Sequence, residues 1–186
     1  AARRLTARDG HEPAMTLACI GLGSNLDHPR RQLSRALRAL ARLPRTRLRA
    51  VAANYVSAPV GAPGAQPDYV NAVALIDTAL APRALLARLL AIEHRQRRRR
   101  VPGVRNAPRT LDLDLLLFGR RRMRVESLAL PHPRMHERAF VLRPLADLAP
   151  GAVVPGHGPA RGLLRGVAAQ RIARTRTHGP PLPRRR

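Results

Sequence analysis

Asp112 and Asp114 stand two residues apart in the run PRTLDLDLLLFG, Pro108 to Gly119, and that spacing limits what they can do. Leu111, Leu113, Leu115 and Leu117 alternate with them. A period of two predicts a strand with both carboxylates on one face and the leucines on the other. Two residues along a strand rise ~6.6 Å, at ~3.3 Å each. Carboxylates so placed can hold one hard cation between them, or one each of a pair. Mg²⁺ suits them: oxygen ligands only, few of them, with room for water and phosphate to complete the octahedron. The chain has 11 acidic residues against 35 basic ones, so two acids on one face of an apolar strand, with Arg109 just before them, are a placed feature. On these residues alone the plainer alternative, a strand end with two solvated aspartates, stays open.

A strand of this kind needs a sheet around it. Leu17 to Leu22 reads as a short buried strand ending in a turn at Gly21-Leu22-Gly23-Ser24-Asn25. A helix follows, with Pro29 in its first turn and Leu33, Leu37 and Leu40 on one face. Leu48 to Ser57 alternates as a second strand, and a Pro/Gly-rich loop from Ala58 to Gln66 leads to a third, Tyr69 to Asp77. Pro82 opens a second helix carrying Leu85, Leu86, Leu89 and Ile92. The Asp112 strand comes next, then a hairpin strand within Arg121 to Leu130 and a helix over Phe140 to Leu148. The order predicts an α+β fold with a ferredoxin-like βαββαβ core. Its antiparallel sheet carries both helices on one face and leaves the other free for ligands, with C-terminal additions.

Composition narrows the function. The 186 residues amount to one domain with tails. All basic residues are Arg, and the formal net charge is +24, which attracts polyanions, nucleotide phosphates included. The absence of Lys excludes a P-loop. The single cysteine, Cys19, forms no internal disulfide and reads as a small buried hydrophobe. No apolar run is long enough to span a membrane, so no membrane partner and a cytoplasmic location are expected.

Four segments converge on one resemblance. They are GLGSNL at Gly21 to Leu26, APVGAPGAQPDYVNAV at Ala58 to Val73, PRTLDLDLLLFG, and PHPRMHERAFVLRPL at Pro131 to Leu145. Together, over roughly Met15 to Pro155, they resemble the 6-hydroxymethyl-7,8-dihydropterin pyrophosphokinase family of folate biosynthesis. The resemblance implies an ATP-dependent diphosphotransferase. MgATP would give its terminal diphosphate to the hydroxymethyl oxygen of a reduced pterin and release AMP, with ATP as co-substrate and two Mg²⁺ ions as cofactors.

The resemblance also implies roles for particular residues. Asp112 and Asp114 match the metal pair. Tyr69 and Phe140 match the aromatics that sandwich the pterin, and half of the chain's four Phe and Tyr residues fall there. Asn71 matches the side chain on the pterin edge; Ser57 and Val60 match backbone contacts to the ring. Glu93, Arg98 and Arg100 match an ATP-binding E-x4-G-R-x-R pattern in which Arg97 replaces the glycine that would readily allow a left-handed turn. Arg109, His132 and Arg138 match phosphate ligands, and Arg98 and Arg109 also count among the catalytic residues beside the two aspartates. Asn106 stands where some members have Trp. His136 matches no role and reads as a helix-surface residue.

The strongest rival is a basic nucleic-acid-binding protein, which the charge and the Arg-rich ends suit. No stacking platform, zinc pattern or RNP-like motif accompanies them, so no specific nucleic acid is expected. An inactive homologue kept as a binding module is the third reading. The expected boundaries are a flexible extension over 1–14, a catalytic domain over 15–160 and a partly disordered Arg/Pro-rich tail over 161–186, the whole acting as a monomer on small-molecule substrates.

Overall fold

Ala18 to Leu22 is apolar without interruption, and such a strand belongs inside a sheet covered on both faces. The computed structural model describes residues 14–61, 64–97 and 107–175. In it that run lies within β1 (Thr16–Ser24), followed by α1 (Pro29–Leu40), β2 (Thr46–Val51), β3 (Tyr55–Ser57), β4 (Tyr69–Thr78), α2 (Pro82–Arg95) and β5 (Asp112–Phe118). A hairpin of β6 (Met123–Val125) and β7 (Leu128–Leu130) comes next, then α3 (Ala139–Leu148). The short pair β8 (Val153–Val154) and β9 (Gly158–Pro159), α4 (Ala160–Leu163) and β10 (Ile172–Arg174) complete it. The main sheet runs β10-β3-β4-β1-β5, with β2 also on β4, and every pairing is antiparallel. This is the expected α+β, βαββαβ arrangement.

Two apolar layers sandwich the sheet. On one face Leu33, Leu37 and Leu40 of α1 and Leu85, Leu89 and Ile92 of α2 pack on Ile20, Leu22, Ile76 and Leu113. Both helices start on proline, which costs nothing at a position whose N–H has no intrahelical partner. On the other face Val141, Leu142 and Leu145 of α3 pack with Cys19, Val73 and Leu116. Burial pushes the Cys19 thiol up to about 12, which leaves it an inert small hydrophobe. That second face is therefore not free for ligands along its length, contrary to the expectation. Only its end, beyond the start of α3, stays open.

Four local readings change. The glycines Gly21 and Gly23 do not form a turn: β1 continues through them to Ser24, opposite Val73 to Val70 of β4. The strand expected over Leu48 to Ser57 divides into β2 and β3, which pair with the two ends of β4. The leucine alternation in β5 breaks at a β-bulge, where Cys19 faces Leu117 and Ile20 faces Leu115. Leu116 and Leu117 thus pack on the α3 side, while Leu113, Leu115 and Phe118 face α1 and α2.

The fourth change is at the C-terminal end. Ala160 and Val167 are buried, and β10 pairs Ile172 with Ser57 and Arg174 with Tyr55. The domain extends at least to Thr175 rather than ending near 160. Arg97 replaces the glycine that would ease a left-handed turn, yet the end of α2 keeps that turn, with φ 59° at Arg97.

Candidate active site

Three neighbouring strands bring the candidate residues into one row. Gly23 of β1 lies opposite Asn71 of β4 on one side and Asp112 of β5 on the other. Paired residues share a face, so Asn71 and Asp112 flank a glycine floor. The floor leaves little room for a side chain: a Cβ on Gly23 would sit 3.3 Å from Asn71 Oδ1. A Cβ on Gly21 would meet Leu116 Cδ1 at 3.2 Å. The two glycines keep this end of the second sheet face shallow, between carboxylates on one bank and an amide on the other.

A cavity of about 160 Å³ opens over this floor, lined by Gly23, Ser57 to Val60, Tyr69, Arg109, Asp112, Arg134, Glu137, Arg138 and Phe140. Both ring residues read from the sequence, Tyr69 and Phe140, line it. Tyr69 comes from the first residue of β4 and Phe140 from the first turn of α3. Asn71 lies behind the cavity wall, buried, and donates from Nδ2 to Ser57 Oγ at 2.9 Å. The Arg138 guanidinium stands 5.4 Å from the centre of the Phe140 ring, within cation–π range.

A second, larger cavity of about 890 Å³ shares Asp112 with the first. Asp114, Glu93 and His132 line it, together with apolar Leu86, Leu90, Val125 and Leu128. Glu93 is buried, and its Oε1 accepts the backbone N–H of Leu113 at 2.7 Å. Its carboxylate thereby fixes β5 between the two aspartates.

The charges around the shared wall are interleaved. Arg109 Nη1 donates to Asp112 Oδ2 at 2.7 Å. Arg138 Nη1 lies 3.5 Å from Asp114 Oδ2, and His132 Nε2 lies 3.9 Å from Asp114 Oδ1. Burial works to lower the Arg109 pKa, but Asp112 and then Tyr69 outweigh it and the net shift is upward. For Arg138 burial prevails over the pull of Asp114, with Arg134 adding repulsion, and the shift is downward. Three guanidiniums and an imidazole around two carboxylates favour anions such as phosphates at this wall.

His132 is pushed down to about 4 by burial first, then by Arg138 and Arg134. It is neutral at pH 7. Its Nδ1 accepts the Arg134 backbone N–H at 3.3 Å, so the single ring proton sits on Nε2 and points toward Asp114. The folded chain refuses a proton that the unfolded chain accepts near 6.5, so the unfolded state binds more protons between those values. This contribution to stability is whole above about pH 6.5 and is lost as the pH falls toward about 4. Denaturant unfolding of the ligand-free chain across that window is expected to show the decline, and His132→Gln is expected to flatten it.

Oxygen ligands for Mg²⁺ are present in the right number. Two carboxylates on one face of β5, each bordering a cavity open to phosphate and water, meet the usual requirement of one or two protein carboxylates with substrate completing the shell. Among the described residues no third carboxylate, His or Cys joins them in a metal-binding group. The donor set therefore fits an ion that arrives with its substrate.

One residue that the sequence presents only as part of a turn ties these elements together. Asn25, buried at the end of β1, accepts the Arg109 backbone N–H at 2.8 Å, and its own N–H donates to the Arg109 carbonyl at 3.1 Å. Its Nδ2 donates to the Pro67 carbonyl at 3.2 Å. One amide thus ties β1 to the segments that lead into Tyr69 and Asp112. Its signal was available in GLGSNL: an amide directly after a glycine-bearing strand. Arg134 and Glu137 also line the ring cavity without having been singled out. His136 is not simply a surface residue, since its ring stacks on His157 with centroids 3.8 Å apart. Arg98, Arg100 and Asn106 lie outside the described residues.

Residues 19–150 match the family model described as 7,8-dihydro-6-hydroxymethylpterin-pyrophosphokinase. The chain belongs to that family. Among its curated relatives, the 2-amino-4-hydroxy-6-hydroxymethyldihydropteridine pyrophosphokinase of Pseudomonas aeruginosa is 54% identical over 136 residues, covering 73% of this chain and 82% of the relative. The protein of the same name from Haemophilus influenzae is 48% identical over 141 residues, covering 76% and 86%. Among solved structures, Plasmodium falciparum HPPK-DHPS crystallised with SDX-DHP superposes with a TM-score of 0.63 at 12% identity, which speaks for the fold. The match covers 83% of this chain, which spans 45% of that longer one. The span matched to the pyrophosphokinase family contains every candidate residue from Ser57 to Phe140 and stops short of α4 and β10.

Proposed function

We propose that the protein transfers diphosphate from MgATP to the hydroxymethyl group of 6-hydroxymethyl-7,8-dihydropterin, releasing AMP, as a step of folate biosynthesis. The observation that carries this reading is Asp112, a wall shared by two unlike cavities. One is small, floored by glycine and lined by two rings; the other is large, partly apolar and open. A flat pterin suits the first and a nucleotide the second, so their reacting ends would meet at the carboxylates.

The chemistry is attack by an alcohol oxygen on the β-phosphorus of ATP, with AMP as leaving group, and positioning with charge neutralisation supplies most of it. Tyr69 and Phe140 would hold the ring by stacking, and Asn71, together with Ser57 in front of it and Val60 at the rim, would read its edge. Asp112 and Asp114 are the residues that would hold Mg²⁺, in our reading two ions, whose chemistry is to neutralise phosphate charge and lower the pKa of the attacking hydroxyl. Arg109 and Arg138 already stand at the carboxylates. When phosphate arrives they can turn to its oxygens, offering the bidentate geometry that a guanidinium allows. His132, neutral, would donate from Nε2 to a phosphate oxygen. Glu93 would keep β5 in register, and Arg98 and Arg100 would add phosphate ligands from the neighbouring segment. We read the working unit as a cytoplasmic monomer, because one chain lines both cavities and ATP is a cytoplasmic co-substrate. No helix among the described residues is long and apolar enough to cross a membrane.

The deciding experiment incubates the chain with ATP, Mg²⁺ and 6-hydroxymethyl-7,8-dihydropterin and resolves the nucleotides by chromatography. AMP and the pterin diphosphate are expected in equal amounts, and only with the metal and the pterin present. ADP as product, or AMP formed equally without pterin, would refute the assignment.

A further inference from the structure

The segment from Leu164 to Thr175 lies outside the span matched to the family, yet it bonds to the approaches of both ring-bearing walls of the small cavity. Gln170 grips the start of α3. Its Oε1 accepts the Ala139 N–H at 2.9 Å, and its Nε2 donates to the Glu137 carbonyl at 2.7 Å. These two backbone groups bracket the turn that delivers Arg138 and Phe140. No side chain at the N-cap position itself bonds that helix start, so Gln170 does from a distance what a capping residue does locally.

The next residue holds the opposite wall. The Arg171 carbonyl accepts the Ala58 N–H at 3.4 Å, and its guanidinium meets both oxygens of Asp68 at 2.6 and 3.0 Å. Asp68 directly precedes Tyr69. Beyond it, β10 pairs with β3, and the Thr175 N–H reaches the Asn54 carbonyl at 2.9 Å. Gln170 and Arg171 also line a cleft of about 230 Å³ that backs the ring cavity between Val60 and Phe140.

We propose that residues 164–175 form a strap that sets the gap between the Tyr69 wall and the Phe140 wall, with Gln170 as the positioning residue for pterin binding. The inference rests on the pterin reading of the small cavity. It follows from connectivity: Tyr69 and Phe140 belong to different elements, β4 and α3, and the strap bonds to the approach of each. A stacked ring tolerates little change in the spacing of its partners. Neither Gln170 nor Arg171 lines the larger cavity, so the strap acts on one substrate and not on the other.

The test uses the full chain and its variants Gln170→Met and Gln170→Glu, with 6-hydroxymethylpterin and a non-hydrolysable MgATP analogue titrated separately, well below the melting temperature. Gln170→Met keeps length and loses both bonds; Gln170→Glu keeps the acceptor for Ala139 and loses the donor. Pterin affinity is expected to fall roughly tenfold in Gln170→Met, the loss that two neutral hydrogen bonds support, and less in Gln170→Glu. Affinity for the ATP analogue is expected to stay unchanged. Should Gln170→Met not fold, a selective loss of pterin affinity in Gln170→Glu still supports the strap, and unchanged affinity there overturns it. Equal weakening of both ligands overturns it too, because it marks a general loss of structure. Failure of the unaltered chain to bind pterin would refute the pocket reading and the strap together, whereas normal binding by all three proteins refutes the strap alone.

Discussion

Replacing Asp114 with Asn is expected to lower turnover by at least ~10²–10³-fold, the effect of removing one group that stabilises transition-state charge, while leaving the melting temperature almost unchanged. The two aspartates differ in what else they hold. Asp114 meets Arg138 at 3.5 Å and His132 at 3.9 Å, contacts too loose to matter much for folding. Asp112 accepts a 2.7 Å bond from Arg109, a guanidinium whose side chain is 18% exposed. Asp112→Asn is therefore expected to cost activity and stability together, since it leaves a half-buried cation without its nearest anion. Steady-state assays beside thermal melts of both variants separate the roles. If Asp114→Asn kept full turnover, or if the two variants lost stability equally, β5 would be a structural strand and not a metal-binding one.

Truncating either ring wall is expected to act on one substrate alone. Tyr69→Ala and Phe140→Ala should each weaken pterin binding by about 1–3 kcal/mol, roughly five- to 150-fold, from lost buried area and ring geometry. ATP should bind as before, because neither residue lines the larger cavity. Asn71→Ala should follow the same pattern through loss of the edge contact, with a further cost from Ser57 Oγ losing its 2.9 Å donor. Calorimetry with each ligand separately decides the matter. A variant that lost both ligands in proportion would show that its side chain supports the sheet and not the pocket.

The sequence made the site more legible than the frame around it. Asp112, Asp114, Tyr69 and Asn71 sit in strands, where a period of two assigns faces without knowledge of the neighbours. At Arg97 the loss of the family glycine put the helix end in question, and the arginine takes the left-handed conformation all the same, with φ 59°. What stayed hidden depends on distant partners. The bulge at Leu116 needs the register of β1, which no local pattern in the four consecutive apolar residues Leu115 to Phe118 can supply. The course of β1 through Gly21 and Gly23 was missed because glycine in a strand and glycine in a turn look alike, until the Leu116 side chain above it is known. β10 has only three residues, between Arg171 and Thr175, and is a strand because β3 offers it an edge. Asn25 and Gln170 act on backbone groups far along the chain, and a side chain that bonds to backbone leaves no complementary residue type to search for.

The two tyrosines have unlike surroundings. Tyr69 faces the small cavity, whereas Tyr55 donates from its hydroxyl to the Asp147 carboxylate and is pushed up to about 12, by burial first and then by that bond. The chain has no Trp, so these two phenols supply its ultraviolet emission. A phenol bonded to a carboxylate loses much of its excited state to proton transfer, so Tyr55 is expected to emit less than Tyr69, whose hydroxyl donates to the Ala107 carbonyl at 3.4 Å. A pterin absorbs where tyrosine emits, so a ring settling beside Tyr69 would darken it, while a nucleotide in the neighbouring cavity would leave it lit. An aromatic-poor core thereby gives the unlabelled chain an optical window onto one half of its site.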